Sequence, residues 1–379
     1  MEALLKKRFS PRSSQISDFA MRILRLTLLS TPFISCMSNA GKCADLNTAQ
    51  LGDQPSSGIP ETSFEVPSFD GVRLRGSMAI PSQLRALVIP IHGSFCQDRN
   101  GDLDSSSLWM YPEGTPKRLL FLDMSNALYQ EGVGTFRYDK RASGKSEGVY
   151  EDTTLTVLAQ DVTVILNEMR KQFPGLPIGI IGQSEGGLVA LKAYDLGARP
   201  DFILLQSPAL LPFDQILEYQ KTRAAQPFLV DRSGTLEKKY PYAAAFFKAM
   251  YEGDMLNRIR STDDQYYELK NGEWSVITSL TKYREYMWSG LDLLKKVKVP
   301  VAVFFGSKDL NVNPDVSKMI WDEQAHGSYL NVEVQLFEGL EHSFREVKEG
   351  KGFFESLSDP VSPRYLQALK DTVNRLTRR

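Results

Sequence analysis

The stretch Gly182-Gln183-Ser184-Glu185-Gly186 limits the folds open to this chain more than any other. It follows a short apolar run, Pro177-Ile178-Gly179-Ile180-Ile181, and precedes a helix-forming run, Leu188-Val189-Ala190-Leu191-Lys192-Ala193. A serine between glycines, at a corner from strand to helix, has the form of a nucleophile elbow. The glycines suit a turn too sharp for side chains on either flank. The corner lifts the serine hydroxyl out of the sheet, and the new helix brings its positive dipole end to where an oxyanion would develop.

A serine hydroxyl is a poor nucleophile at neutral pH. It needs a base to take its proton and a group that fixes the tautomer of that base. The chain has 3 histidines, His92, His326 and His342. His342 follows the strand-like run Val332-Glu333-Val334-Gln335-Leu336, from where a loop can reach back over the sheet, and it is the expected base. His326, in Gln324-Ala325-His326-Gly327, reads as the end of a helix, where an imidazole favours the dipole. Asp309 is the expected acid, on the turn after the apolar run Val301-Ala302-Val303-Phe304-Phe305-Gly306. The order Ser184, Asp309, His342 is that of the α/β hydrolases.

Four motifs carry a resemblance to the α/β-hydrolase superfamily, and within it to the serine esterase and aminopeptidase-like branch. They are Ile91-His92-Gly93-Ser94, the run from Phe136 through Arg137-Tyr138-Asp139-Lys140-Arg141-Ala142-Ser143-Gly144-Lys145-Ser146, the Ser184 pentapeptide with Gly187, and Phe305-Gly306-Ser307-Lys308-Asp309 with His342. The resemblance implies an oxyanion loop at His92 and Gly93, with His92 structural. It also implies two oxyanion donors, the backbone N–H groups of Glu185 and Ser94. Three positions depart from the familiar pattern and bear on substrate size more than on chemistry. Gln183 stands where histidine is usual, Phe95 where a small residue is usual, and Ala142 where glycine is usual. Gly144-Lys145-Ser146 looks like the end of a phosphate-binding loop, but that motif needs glycine at 139, which is aspartate. Asp139 and Arg141 are therefore read as structural. Glu185 and Glu341 flank catalytic candidates; carboxylates there could repel anionic acids or favour basic groups, but both are expected to face solvent.

The chain is 379 residues long with a formal net charge of −1, which gives no electrostatic argument for a nucleic-acid partner. The histidines and 3 cysteines form no zinc-type cluster, so neither a metal nor an organic cofactor is expected. Residues 1–40 read as a signal segment: basic at Lys6, Lys7, Arg8, Arg12, Arg22 and Arg25, then apolar from Leu26 to Cys36. That run is too short to span a bilayer. Cleavage after Ser38-Asn39-Ala40 would release a soluble protein. A lipobox reading of Phe33-Ile34-Ser35-Cys36 would leave a lipidated Cys36 and membrane anchoring. Export to the periplasm or beyond is the expected localisation, with a cytoplasmic protein as the alternative. Export permits a disulfide, for which Cys43 and Cys96 are the candidates.

Residues 41–60 read as a linker, and 61–210 with 299–379 as a mostly parallel sheet flanked by helices. Leu155, Leu158, Val162, Ile165, Leu166 and Met169 recur at helical spacing. A C-terminal helix starts at Ser362-Pro363 and buries Tyr365, Leu366, Leu369, Val373 and Leu376. Within 211–298 strand runs vanish and aromatics crowd in, which reads as an inserted helical cap. The whole reads as an α/β-hydrolase fold and a serine hydrolase that cleaves small-molecule carboxylic esters through an acyl-enzyme. A peptidase or amidase of the same fold, or a catalytically silent binding protein, are the rivals. The oligomeric state is left open.

Overall fold

The computed structural model describes residues 58–103, 117–150, 153–239, 244, 265–270, 273–349, 351, 356–357 and 359–378. The expected signal segment, most of the expected linker, Cys36 and Cys43 lie outside them. Among the described residues, no helix is long and apolar enough to cross a membrane.

The main sheet has eight strands: β1 (Thr62–Pro67), β2 (Arg73–Ala79), β3 (Ala86–Ile91), β4 (Val133–Tyr138), β5 (Ile178–Gln183), β6 (Phe202–Gln206), β9 (Val301–Gly306) and β10 (Val332–Phe337). Their order across the sheet is β1-β2-β4-β3-β5-β6-β9-β10. β1, β2 and β4 pair antiparallel, and every pairing from β4 through β10 is parallel. All residues of β3, β4, β5, β6 and β9 are buried. Their near-continuous apolar runs are those of strands covered on both faces.

The period of two splits those runs between two apolar clusters. Leu87, Ile89 and Ile91 of β3 join the face packed by α2 (Leu155–Gln172), α3 (Glu185–Asp195), α5 (Gly290–Lys296) and α6 (Val316–Ala325). Ala86 and Val88 join the opposite face, packed by α1 (Leu120–Tyr129) and α7 (Pro363–Thr377). α2 buries the stripe read from its spacing and is capped by Thr154, whose side chain accepts a hydrogen bond from the N–H of Val157. α7 starts at Pro363 behind Ser362 and buries Tyr365, Leu369 and Val373, with Leu366 and Leu376 partly covered.

The region read as an inserted helical cap opens with α4 (Phe213–Gln220), a π turn at Lys221–Ala225 and two short helices, Gln226–Val230 and Thr235–Lys239. It does not stay helical. β7 (Gln265–Lys270) and β8 (Glu273–Ser279) form an antiparallel hairpin. A 3₁₀ segment, Leu280–Met287, follows and leads to α5. The residues between β7 and β8 are Asn271-Gly272, the pair most suited to a two-residue hairpin turn. Leu293, Leu294 and Val297, at the end of this region, belong to the main core.

Candidate active site

Parallel strands place their carboxyl ends on one edge, where sites of such folds form. Ser184 follows β5 directly, His92 follows β3, Lys140 lies two residues after β4, Asp309 three after β9 and His342 five after β10. Positions as far apart in sequence as His92 and His342 are thus carried to one rim.

Ser184 sits at φ 56° and ψ −120°, a conformation that costs a non-glycine residue on the order of 1–3 kcal/mol. The surroundings hold it there. Its N–H donates to Gln206 O at 2.9 Å, and its carbonyl accepts from Gly187 N–H and Ala209 N–H, both at 3.0 Å. The two glycines are required by contact. A Cβ on Gly182 would lie 2.4 Å from Gly186 O, and one on Gly186 would lie 2.2 Å from Ile91 O. The elbow is therefore packed against the end of β3 as well as on its own helix. A Cβ on Gly93 would lie 3.2 Å from Ser184 Cβ, so the loop after β3 runs past the serine.

Asp309 and His342 meet. His342 Nδ1 and Asp309 Oδ2 are 2.7 Å apart, with the aspartate 1% and the histidine 6% exposed. The other carboxylate oxygen, Oδ1, accepts from the N–H groups of Asn311 at 2.7 Å and Val312 at 3.0 Å. Asp309 is thus fixed by its own turn and aims one oxygen at the imidazole. Tyr219, from α4, donates its hydroxyl to Asp309 O at 2.7 Å. Burial, followed by the charge of Asp309, pushes that phenol up to about 12, so it acts as a donor at neutral pH.

The His342 loop is anchored from behind. Phe344 stacks on Tyr365 of α7 at 4.2 Å between ring centroids, and Ser362 N–H donates to Phe344 O at 2.9 Å. Glu341 does not face solvent as expected from the sequence. It is 1% exposed, and its Oε1 accepts from the N–H groups of Ser343 at 2.9 Å and Arg345 at 3.0 Å. Burial raises its pKa, opposed by the charge of Arg345.

The expectation for Glu185 is corrected too. Its Oε2 lies 2.6 Å from Lys140 Nζ, and the two side chains are 14% and 5% exposed. Lys140 also donates to Gly93 O at 2.8 Å. Tyr286, in the 3₁₀ segment, hydrogen-bonds the Glu185 carboxylate; burial and then that charge hold its hydroxyl well above the ordinary range. The carboxylate faces this pair because a buried charge without a partner is costly.

His92 is buried between Phe121 and Tyr138, with Nε2 3.0 Å from Asp98 O. Burial lowers its pKa to about 3, so the ring is neutral. His326 caps α6, with Nδ1 2.8 Å from Asp322 O, far in role from the rim. Ser94 is exposed and Phe95 takes a positive φ of 67°. Asp139 accepts from Arg99 and from the Lys145 N–H, while Arg141 bridges Asp70 and Asp161; both are structural parts of the loop after β4. Ala142 in that loop takes φ 62°, the left-handed conformation that suits the glycine usual there. Cys96 is disulfide-bonded, and its partner lies outside the described residues. Among the described residues no group of three or more His, Cys, Asp or Glu could hold a metal.

The family described as "Serine aminopeptidase, S33" matches residues 119–346, more than half of the chain. Human monoglyceride lipase is 32% identical over 116 residues, covering 26% of this chain and 38% of that enzyme. The chain thus spans well under two thirds of that relative. Among solved structures, the Pyrococcus furiosus esterase Pf2001 has a TM-score of 0.52 at 18% identity, over 85% of this chain and 93% of that one. Est1E from Butyrivibrio proteoclasticus, with ferulic acid bound, has a TM-score of 0.50 at 18% identity, over 83% and 98%. At such identities these two show the shared fold. With the eight-stranded sheet, the elbow turn and the family match together, the chain belongs to the serine aminopeptidase S33 family of α/β hydrolases.

Proposed function

We propose that the protein is a serine hydrolase that cleaves carboxylic esters of modest size through an acyl-enzyme. The observation that carries this reading is the 2.7 Å contact between His342 and Asp309 on the rim where Ser184 holds its strained turn. His342 takes the Ser184 proton as Oγ attacks the ester carbonyl. The N–H groups of Glu185 and Ser94 hold the oxyanion. His342 then protonates the departing alcohol, water repeats the attack on the acyl-enzyme, and Asp309 steadies the imidazolium throughout. The likeness to a lipase and to esterases favours an ester, and the aminopeptidase family description keeps an amide substrate as the second reading.

A panel of p-nitrophenyl esters of increasing acyl length, run beside aminoacyl-arylamides, separates the two. Ester turnover is expected to exceed arylamide turnover by about a hundredfold or more. Comparable rates on arylamides would move the assignment to a peptidase, and no turnover on either would remove it.

The disulfide at Cys96 supports export. Cys36 and Cys43 are the only other cysteines, and we propose Cys43 as the partner, leaving Cys36 to the signal or to a lipid. Peptide mapping of unreduced protein from an oxidising compartment is expected to yield a Cys43–Cys96 cross-linked peptide. Cys96 recovered as a free, alkylatable thiol would contradict it.

A further inference from the structure

Lys140 has no part in the chemistry set out above, yet among the described residues it is one of the most enclosed lysines, at 4% exposure. Its ammonium has two partners, Gly93 O at 2.8 Å and Glu185 Oε2 at 2.6 Å. Both matter for the same reason. The Gly93 carbonyl and the Ser94 N–H belong to one planar trans peptide unit and point in opposite directions. Fixing the carbonyl therefore fixes where the N–H points. Glu185, at the other end of the ammonium, carries the second proposed oxyanion donor on its own backbone. The Glu185 carboxylate is held in turn by Tyr286, at the end of the insertion. Nearby, Glu285 accepts from Thr156 N–H at 2.7 Å and ties the same segment to the start of α2.

We infer that Lys140 and Glu185 are positioning residues that set the two oxyanion N–H groups in register with Ser184, and that Tyr286 couples them to the inserted segment. This rests on the reading of Ser184 as the nucleophile. Lys140 also neutralises a carboxylate that would otherwise stand beside the developing oxyanion. The N–H groups do the stabilising; the ion pair holds them still. A donor displaced by about 1 Å loses on the order of a hundredfold in rate.

The test compares ester kinetics of Lys140→Met, Glu185→Met, Glu185→Gln and the double variant Lys140→Met/Glu185→Met. The double variant strands no charge, so it guards against simple failure to fold. Lys140→Met, Glu185→Met and the double variant are each expected to lose about ten- to a hundredfold in kcat with KM within about twofold. Glu185→Gln keeps an oxygen that accepts from Lys140 and Tyr286, and is expected to stay within about fivefold of wild type. Affinity for a boronic acid, which forms a tetrahedral adduct on the serine, should fall in parallel with kcat. Wild-type kcat in the double variant, or a loss confined to KM or to melting temperature, would overturn the inference. A wild-type protein that hydrolyses no ester would instead overturn the hydrolase reading, and this one with it.

Discussion

Ser184→Ala is expected to lower ester turnover by on the order of a million-fold, leaving only what binding and the oxyanion donors supply. The fold should survive it. Ser184 supports the elbow through its backbone, with its N–H on Gln206 and its carbonyl under Gly187 and Ala209. Alanine preserves each of those bonds and meets the same positive φ with the same Cβ. The melting temperature should therefore stay within a few degrees of wild type, since no buried contact or cap is removed. Michaelis–Menten kinetics on the best p-nitrophenyl ester, beside thermal unfolding, checks both halves. A loss below about tenfold would mean that the hydrolysis comes from elsewhere.

Asp309→Asn carries the second large effect. Asparagine can keep its carbonyl oxygen toward the N–H groups of Asn311 and Val312, which Oδ1 serves now. Its amide NH₂ then faces His342 Nδ1 at the position of Oδ2. A donor there demands an unprotonated Nδ1, so the proton moves to Nε2, and the imidazole can no longer take the serine proton. Loss of kcat by about ten thousand-fold is expected, with KM little changed. Retention of more than a tenth of wild-type kcat would show that Asp309 only shapes its turn. Asp309→Ala is a poorer probe, because it leaves the buried N–H of Val312 and the part-buried N–H of Asn311 without an acceptor, at a cost of roughly 1–3 kcal/mol for the buried one.

The sheet and its rim were legible because their signals are local. β5 and α3 announce themselves by an apolar run, two glycines and a helix-forming run, all between Pro177 and Ala193. α2 and α7 do so by spacing, and α7 also by Ser362-Pro363 at its start. The pairing of Asp309 with His342 needed only the order of motifs and a shared strand edge. The hairpin β7–β8 is hidden in the sequence because aromatics crowding into 211–298 suit the core of a helical cap as well as they suit strands. Asn271-Gly272 between them was the signal that could have found it.

Lys140, Tyr286 and the burial of Glu341 were not legible, for a common physical reason. Each gains its meaning from a partner that is silent in sequence. Lys140 meets Glu185 across 45 residues, and the Gly93 carbonyl it also holds has no side chain to mark it. Glu341 spends one carboxylate oxygen on two backbone N–H groups of its own loop, which no residue type advertises. Glutamates beside a catalytic serine or histidine look like solvent-facing charges until the fold supplies the groups that enclose them.

Ser184 is expected to be the group that becomes acylated. Reaction with a fluorophosphonate, followed by peptide mass spectrometry, checks this. A single phosphonyl adduct on Ser184 is expected, formed at a rate that falls steeply in His342→Ala. Folded protein that hydrolyses esters yet carries the adduct on another residue, or carries none, would contradict it.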